Sequence, residues 1–160
     1  MITASIVIYN TPQAYLQKVV TCLANSTVKT IYVINNNSPD NLKEFAQSLS
    51  EKVVYIQGQG NVGYGAANNI AMREAIRQNA KYHLVLNPDI EFTDGVIEAL
   101  QDYMDANLDV GQVMPKIVFP NGKIQYLCKL IPTPFDLIFK RFLPAKLNAK
   151  RAHKFQLQTA

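Results

Sequence analysis

The feature that most constrains this chain is an alternation: short β-branched runs closed by turn residues take turns with stretches whose apolar residues recur at helical spacing. Thr3 to Tyr9 (TASIVIY) reads as a buried strand that stops at Asn10-Thr11-Pro12, with Pro12 near the first turn of a helix. Along that helix Tyr15, Leu16, Val19, Val20 and Leu23 make one apolar face. Thr30 to Ile34 is a second strand, Leu42 to Leu49 a second helix, and Val53 to Ile56 a third strand. The Gly-rich loop Gly58 to Gly65 then leads into a helix over Ala66 to Asn79. His83 to Leu86 is a fourth strand, cut off by Asn87-Pro88-Asp89, and a helix beginning at Thr93 carries Val96, Ile97, Leu100 and Met104. Gly111 to Phe119 and Lys123 to Leu127 read as two further strands, joined at Pro120-Asn121-Gly122 by an Asn-Gly turn signal. Such a pattern predicts an α/β fold: a mostly parallel central sheet flanked by helices.

Charge divides the chain in two. Residues 1–128 hold 9 basic and 11 acidic side chains, whereas 129–160 hold 7 basic side chains against the single acid Asp136. The overall charge of +4 therefore belongs to the tail and not to the strand-helix core. Nucleic-acid binding wants basic side chains on a folded reading element or interleaved with stacking aromatics, and the core offers neither. Cys22 and Cys128 form no CxxC pair, which excludes a disulfide framework and a zinc site of that type; both are expected as buried free thiols. The longest early apolar run, Ala4 to Tyr9, is far short of a membrane span, and no basic residue precedes it as in a signal peptide. The chain therefore reads as cytoplasmic.

In open α/β sheets, ligands bind beyond the carboxyl ends of the strands. Four loops fall there: Asn10-Thr11, Asn35 to Asp40, Gly58 to Asn69, and Asn87 to Asp89. Gly58-Gln59-Gly60-Asn61-Val62-Gly63 fits GxGxxG, but the dinucleotide fingerprint belongs after the first strand, and here two βα units come before it. A dinucleotide-dependent oxidoreductase is accordingly a distant alternative. Small residues let a backbone approach a ligand, and Asn61, Asn68 and Asn69 add uncharged donors and acceptors suited to a sugar or a nucleobase. Each of these Asn residues alone could equally cap a helix. Asp89 is the best candidate for a hard divalent cation, which a single carboxylate can hold when diphosphate oxygens and waters complete the shell. Alone, it is a common turn residue.

Five blocks in order and spacing now resemble a known family: Ser5 to Asn10 (SIVIYN), Val33 to Ser38 (VINNNS), Asn61 to Asn69 (NVGYGAANN), Leu86 to Ile90 (LNPDI) and Val110 to Gln125 (VGQVMPKIVFPNGKIQ). They resemble the family two nucleotide-sugar glycosyltransferases, in particular the rhamnosyltransferase-like branch. The resemblance implies a GT-A, Rossmann-like fold and inverting sugar transfer from a nucleoside-diphosphate-sugar to the hydroxyl of a saccharide or lipid-linked saccharide, in polysaccharide or glycolipid synthesis. It implies that Tyr9, Asn10 and Thr11 line the base and ribose pocket with Asn35 and Asn37, Asn35 standing where the family usually has an Asp. Asn61, Gly63, Ala67 and Asn68 would lie along the nucleotide and sugar. Asn87-Pro88-Asp89 would stand for the family's DxD motif, Asp89 holding Mg²⁺ or Mn²⁺ against the diphosphate.

The resemblance also implies a general base in a later part of the domain, and this chain offers only Asp136 after Asp109. That residue is not taken as the base. Truncation of a longer protein, a naturally short product and dependence on a second polypeptide would each account for the gap; truncation, with the acceptor half missing, is the favoured expectation. A nucleotide-sugar-binding module without turnover is the main rival reading.

The boundary is placed near Lys129, after a donor-binding domain over 1–128. Beyond it, Phe135, Leu137, Ile138, Phe139, Phe142 and Leu143 sit among Lys140, Arg141, Lys146, Lys150, Arg151 and Lys154. Interfacial helices on anionic membranes have this composition, which suggests a peripheral contact at the inner face through 135–154. An equal reading packs the apolar residues on the missing half, or in its absence against a second copy as a homodimer. Charge reversal at Lys140, Arg141, Lys150 and Arg151 is expected to abolish flotation of the chain with anionic liposomes; unchanged flotation would exclude the membrane reading.

Overall fold

The computed structural model describes residues 1–38 and 42–127. Over them run β1 (Ile2–Ile8), α1 (Gln13–Ala24), β2 (Val28–Asn35), α2 (Lys43–Leu49), β3 (Val53–Ile56), α3 (Tyr64–Arg77), β4 (Tyr82–Leu86) and α4 (Val96–Ala106). The sheet order is β3-β2-β1-β4 and every pairing is parallel, as the alternation predicts. Ile6 of β1 is in register with Val33 on one side and Leu86 on the other. All four strands thus finish along one sheet edge. By its contacts the chain divides into two units, Met1–Val113 and Met114–Ala160, and these eight elements all lie in the first.

β1 is buried along its whole length, and its pleat decides what it faces. Ile2, Ala4, Ile6 and Ile8 join Leu16, Val19, Val20 and Leu23 of α1, Ala46 of α2 and Ile97 of α4 in the main core. Those four α1 residues follow the i, i+3, i+4, i+7 stripe of a helix with one buried face. On the other side Val7, Tyr32 and Ile34 meet Ala67 and Ala71 of α3. The alanine spacing keeps α3 close to the sheet. Among the described residues, no helix is long and apolar enough to cross a membrane.

The α3 side of β1 also buries polar groups, and they satisfy one another. Thr3 Oγ1 lies 2.8 Å from His83 Nδ1, and His83 Nε2 lies 3.0 Å from Ser5 Oγ. Ser5 Oγ donates to Asn68 Oδ1 at 2.8 Å, and Asn68 Nδ2 donates to the Tyr64 carbonyl at 3.1 Å. The Ser5 proton points to Asn68, with the Leu84 carbonyl farther off at 3.4 Å, so Ser5 accepts from His83 Nε2; a neutral imidazole then accepts from Thr3 at Nδ1. Burial pushes the His83 pKa down, in the same direction.

Three local expectations change. α3 begins at Tyr64 instead of Ala66, and α4 at Val96 instead of Thr93, after Gly95 with φ of 86°. Residues 111–119 and 123–127 form no ladder among the described residues: a single antiparallel bridge joins Val118 to Ile124. The turn itself is present, with Gly122 at φ 80° and its N–H donating to Phe119 O at 2.8 Å. Pro115 supplies no N–H to a ladder, and a two-stranded hairpin without a third strand is marginal. Cys22 is a free, half-buried thiol. Cys128, the boundary at Lys129, Asp136 and the basic tail lie outside the described residues.

His83 generates a pH dependence. An imidazole whose folded pKa lies below its ordinary 6.5 makes the unfolded state bind more protons, so stability is full above about 6.5 and declines as pH falls toward the folded value. Urea unfolding between pH 7.5 and 5 should show this decline above the carboxylate range, and His83→Gln should flatten it. An unchanged slope in the variant would contradict the relay.

Candidate functional site

Each strand end delivers a polar loop to the same edge. After β1, Tyr9 N–H donates to Thr11 Oγ1 at 3.2 Å, and Asn10, at φ 51°, donates its N–H to Ser38 Oγ at 2.9 Å. Asn tolerates this left-handed conformation better than most residues. After β2, Asn35 Oδ1 accepts the Ser38 N–H at 2.7 Å, closing an Asx turn that includes Asn37 at φ 72°. Asn36 N–H donates to Ile8 O at 2.9 Å, carrying the β1–β2 pairing one step further.

Asn36 is the tie between two loops. Its Oδ1 accepts the Val62 N–H at 3.0 Å, and its Nδ2 donates to Asn61 Oδ1 at 2.9 Å. Asn61 Oδ1 also accepts the Gly63 N–H at 3.1 Å, and Gln59 Nε2 donates to the Asn35 carbonyl at 2.8 Å. The Gly-rich loop after β3 is therefore stitched to the end of β2. Gly63, at φ 81°, makes the turn into α3 that a side chain would strain. At the far wall Tyr64 Oη donates to Asn87 Oδ1 at 2.8 Å, beside exposed Asp89.

These loops enclose an open cleft of about 600 Å³, a volume ordinary for small-ligand sites. It lies beyond the ends of β1 and β4, the point where the strand order reverses. Of the residues expected from sequence, Tyr9, Asn10, Thr11, Asn61, Gly63, Asn87 and Asp89 line it. Asn35, Asn37, Ala67 and Asn68 do not line it. Asn35 shapes the β2 turn, Ala67 packs on the sheet, and the Asn68 amide is spent on Ser5 and Tyr64.

Val7, Pro12, Tyr15, Asn36, Tyr64 and Pro88 also line the cleft, and sequence reasoning did not single them out as site residues. Tyr15 was expected on the apolar face of α1, but Leu16, Val19, Val20 and Leu23 complete that face, and Tyr15 is 48% exposed. Tyr9, Tyr15 and Tyr64 give the cleft three half-exposed rings with polar tips, suited to stacking on a planar or sugar ring. Among the described residues no Lys or Arg lines it, and Asp89 is the one charged side chain that does. Among the described residues no three His, Cys, Asp or Glu side chains gather as a metal centre, so the donor set suits an ion shared with ligand oxygens, not one held by protein alone.

The chain is similar to known proteins in sequence and in fold. The model of glycosyl transferase family 2 matches residues 3–153. An uncharacterized glycosyltransferase of Methanocaldococcus jannaschii is 26% identical over 156 residues, covering 92% of this chain and 48% of its own. The low-salt glycan biosynthesis hexosyltransferase Agl10 of Haloferax volcanii is 28% identical over 124 residues, 75% of this chain and 38% of its own. This chain thus spans about half or less of the curated relatives it matches. The crystal structure of S. aureus TarS superposes with a TM-score of 0.55 at 16% identity, over 67% of this chain and 20% of that one. A shorter form, residues 1–349, gives 0.54 with 33% of its chain covered. These superpositions bear out the expected GT-A fold.

The Asn36 tie can be tested directly. Asn36→Ala removes the acceptor of the Val62 N–H and should cost about 1–3 kcal/mol locally. Amide hydrogen exchange at Val62 and Gly63 is expected to accelerate while exchange in β1 stays slow. Unchanged exchange at both amides would show that the loop is held by other means.

Proposed function

The chain belongs to glycosyl transferase family 2, and on that premise we propose that its cleft holds the nucleoside-diphosphate-sugar donor of an inverting sugar transfer. The observation that carries the reading is the lining of the cleft: among the described residues it is uncharged amides, tyrosine rings and one carboxylate. Amides and rings suit the base, ribose and sugar, which carry no charge. The diphosphate is the exception, since among the described lining residues its charge meets Asp89 and no Lys or Arg. Asp89 would hold Mg²⁺ or Mn²⁺, which when bound would supply charge neutralisation of the leaving diphosphate.

In this reading Tyr9, Asn10 and Thr11 hold the nucleoside, Asn61 and Gly63 approach the donor by their small, hydrogen-bonded turn, and Asn87 with Asp89 faces the diphosphate. Asn35, Asn37, Ala67 and Asn68 act from behind, by holding the loops. The acceptor hydroxyl of a saccharide or lipid-linked saccharide attacks the anomeric carbon from the side opposite the diphosphate. Its proton needs a base within hydrogen-bond reach, and the one carboxylate among the described lining residues is assigned to the leaving-group side. The base is therefore sought elsewhere in the protein. Rhamnosyl donors are the first to try, on the strength of the LNPDI block, together with hexosyl donors, on the name of the Haloferax relative. Membrane-surface contact through 135–154 and pairing of two copies are proposals of the same standing.

A second reading, donor binding without turnover, is favoured by one observation: the chain covers 48% and 38% of the two relatives. Release of nucleoside diphosphate from a panel of donor sugars separates the two. Under either, calorimetry should detect Mn²⁺-dependent binding of one of the uridine, thymidine or guanosine diphosphates. Asp89→Ala should weaken that binding by roughly tenfold or more, as expected for loss of a charged contact. Absence of Mn²⁺-dependent binding together with an inert Asp89→Ala would falsify the assignment.

A further inference from the structure

Tyr64 is the first residue of α3 and is 48% exposed, yet it is tied at both ends. Its carbonyl accepts from buried Asn68 Nδ2 at 3.1 Å, and Asn68 is itself held by Ser5 in the middle of β1. Its phenol reaches the loop beyond β4 and donates to Asn87 Oδ1 at 2.8 Å. Gly63, immediately before it, is fixed by Asn61 and through Asn61 by Asn36. A side chain anchored this way sets the orientation of its partner.

The chemistry of that partner makes the orientation matter. An Asn side chain has a carbonyl that accepts and an NH₂ that donates, and turning it over exchanges them. Asn87 lines the cleft, and its Oδ1 is engaged by Tyr64. N–H donors pair with oxygens, whereas hard cations take oxygen ligands. In the arrangement Tyr64 Oη makes, donating to Oδ1, the acceptor of Asn87 is occupied and its donor function is left for a ligand.

We propose that Tyr64 is a positioning residue of the donor site: its hydroxyl holds Asn87 with its amide N–H groups toward the diphosphate or sugar oxygens of a nucleotide-sugar. The inference rests on reading the cleft as the donor site. It divides the labour of the Asn87-Pro88-Asp89 turn: Asn87 serves donor oxygens, and Asp89 the cation.

The test is a double-mutant cycle in the full chain, read by calorimetry with uridine, thymidine and guanosine diphosphates in the presence of Mn²⁺. Tyr64→Phe removes only the hydroxyl and should weaken the best-bound diphosphate roughly tenfold, the scale of one well-placed hydrogen bond. Asn87→Ala should weaken it by a similar or larger factor. The double variant should lose no more than Asn87→Ala alone, because Tyr64 acts only through Asn87. A wild-type affinity in Tyr64→Phe, or losses that multiply in the double variant, would overturn the proposal while leaving the donor site standing. Failure of the wild-type chain to bind any of the three would overturn the donor reading, and this inference with it.

Discussion

Everything at the cleft depends on where β1 sits. Its seven residues are buried on both faces and paired in parallel on both edges, with β2 on one side and β4 on the other. Parallel pairing brings the strand ends to one edge, and placing β4 opposite β2 opens a gap between the loops that follow β1 and β4. Tyr9 to Pro12 and Asn87 to Asp89 face each other across that gap. A β1 that paired on one side only would present the same side chains without a cleft between them.

Side-chain amides order the loops around the cleft, and in the proposed function they also meet the ligand. Asn35, Asn36 and Asn61 are bonded to backbone or to one another, and Asn68 links β1 to the start of α3. Amides provide donors and acceptors without the desolvation cost of buried charge. Among the described residues the cleft lining carries no basic side chain. In the proposed function Asp89 is the place where a cation would enter with the ligand.

Much of the fold was legible because periodicity reports burial directly. The run Val53 to Ile56 is the third strand residue for residue, and Leu16, Val19, Val20 and Leu23 are the buried face of α1. Two strands beyond Gly111 were not realised, since a hairpin sequence states a local preference and not the presence of a third strand to pair with. The site was half legible. Loop position and residue type found Asn10, Asn61, Asn87 and Asp89, but could not separate residues that line the cleft from those that hold it. Asn35 and Asn36 are adjacent amides in one run, yet of the two side chains it is that of Asn36 that bonds the Gly-rich loop, and Asn36 that lines the cleft. Tyr15 was hidden by its neighbour Leu16, which belongs to the core. Nothing in the sequence pairs Tyr64 with Asn87, 23 positions apart.

The central claim, that this cleft takes a nucleotide together with a divalent cation at Asp89, is tested most directly by nuclear magnetic resonance with Mn²⁺ as a paramagnetic probe. With a nucleoside diphosphate present, the account predicts broadening centred on the amides of Asp89 and Asn87 and extending across the cleft to Asn10, and little broadening from Mn²⁺ alone. Broadening centred elsewhere, or equally strong at these residues without nucleotide, would contradict it.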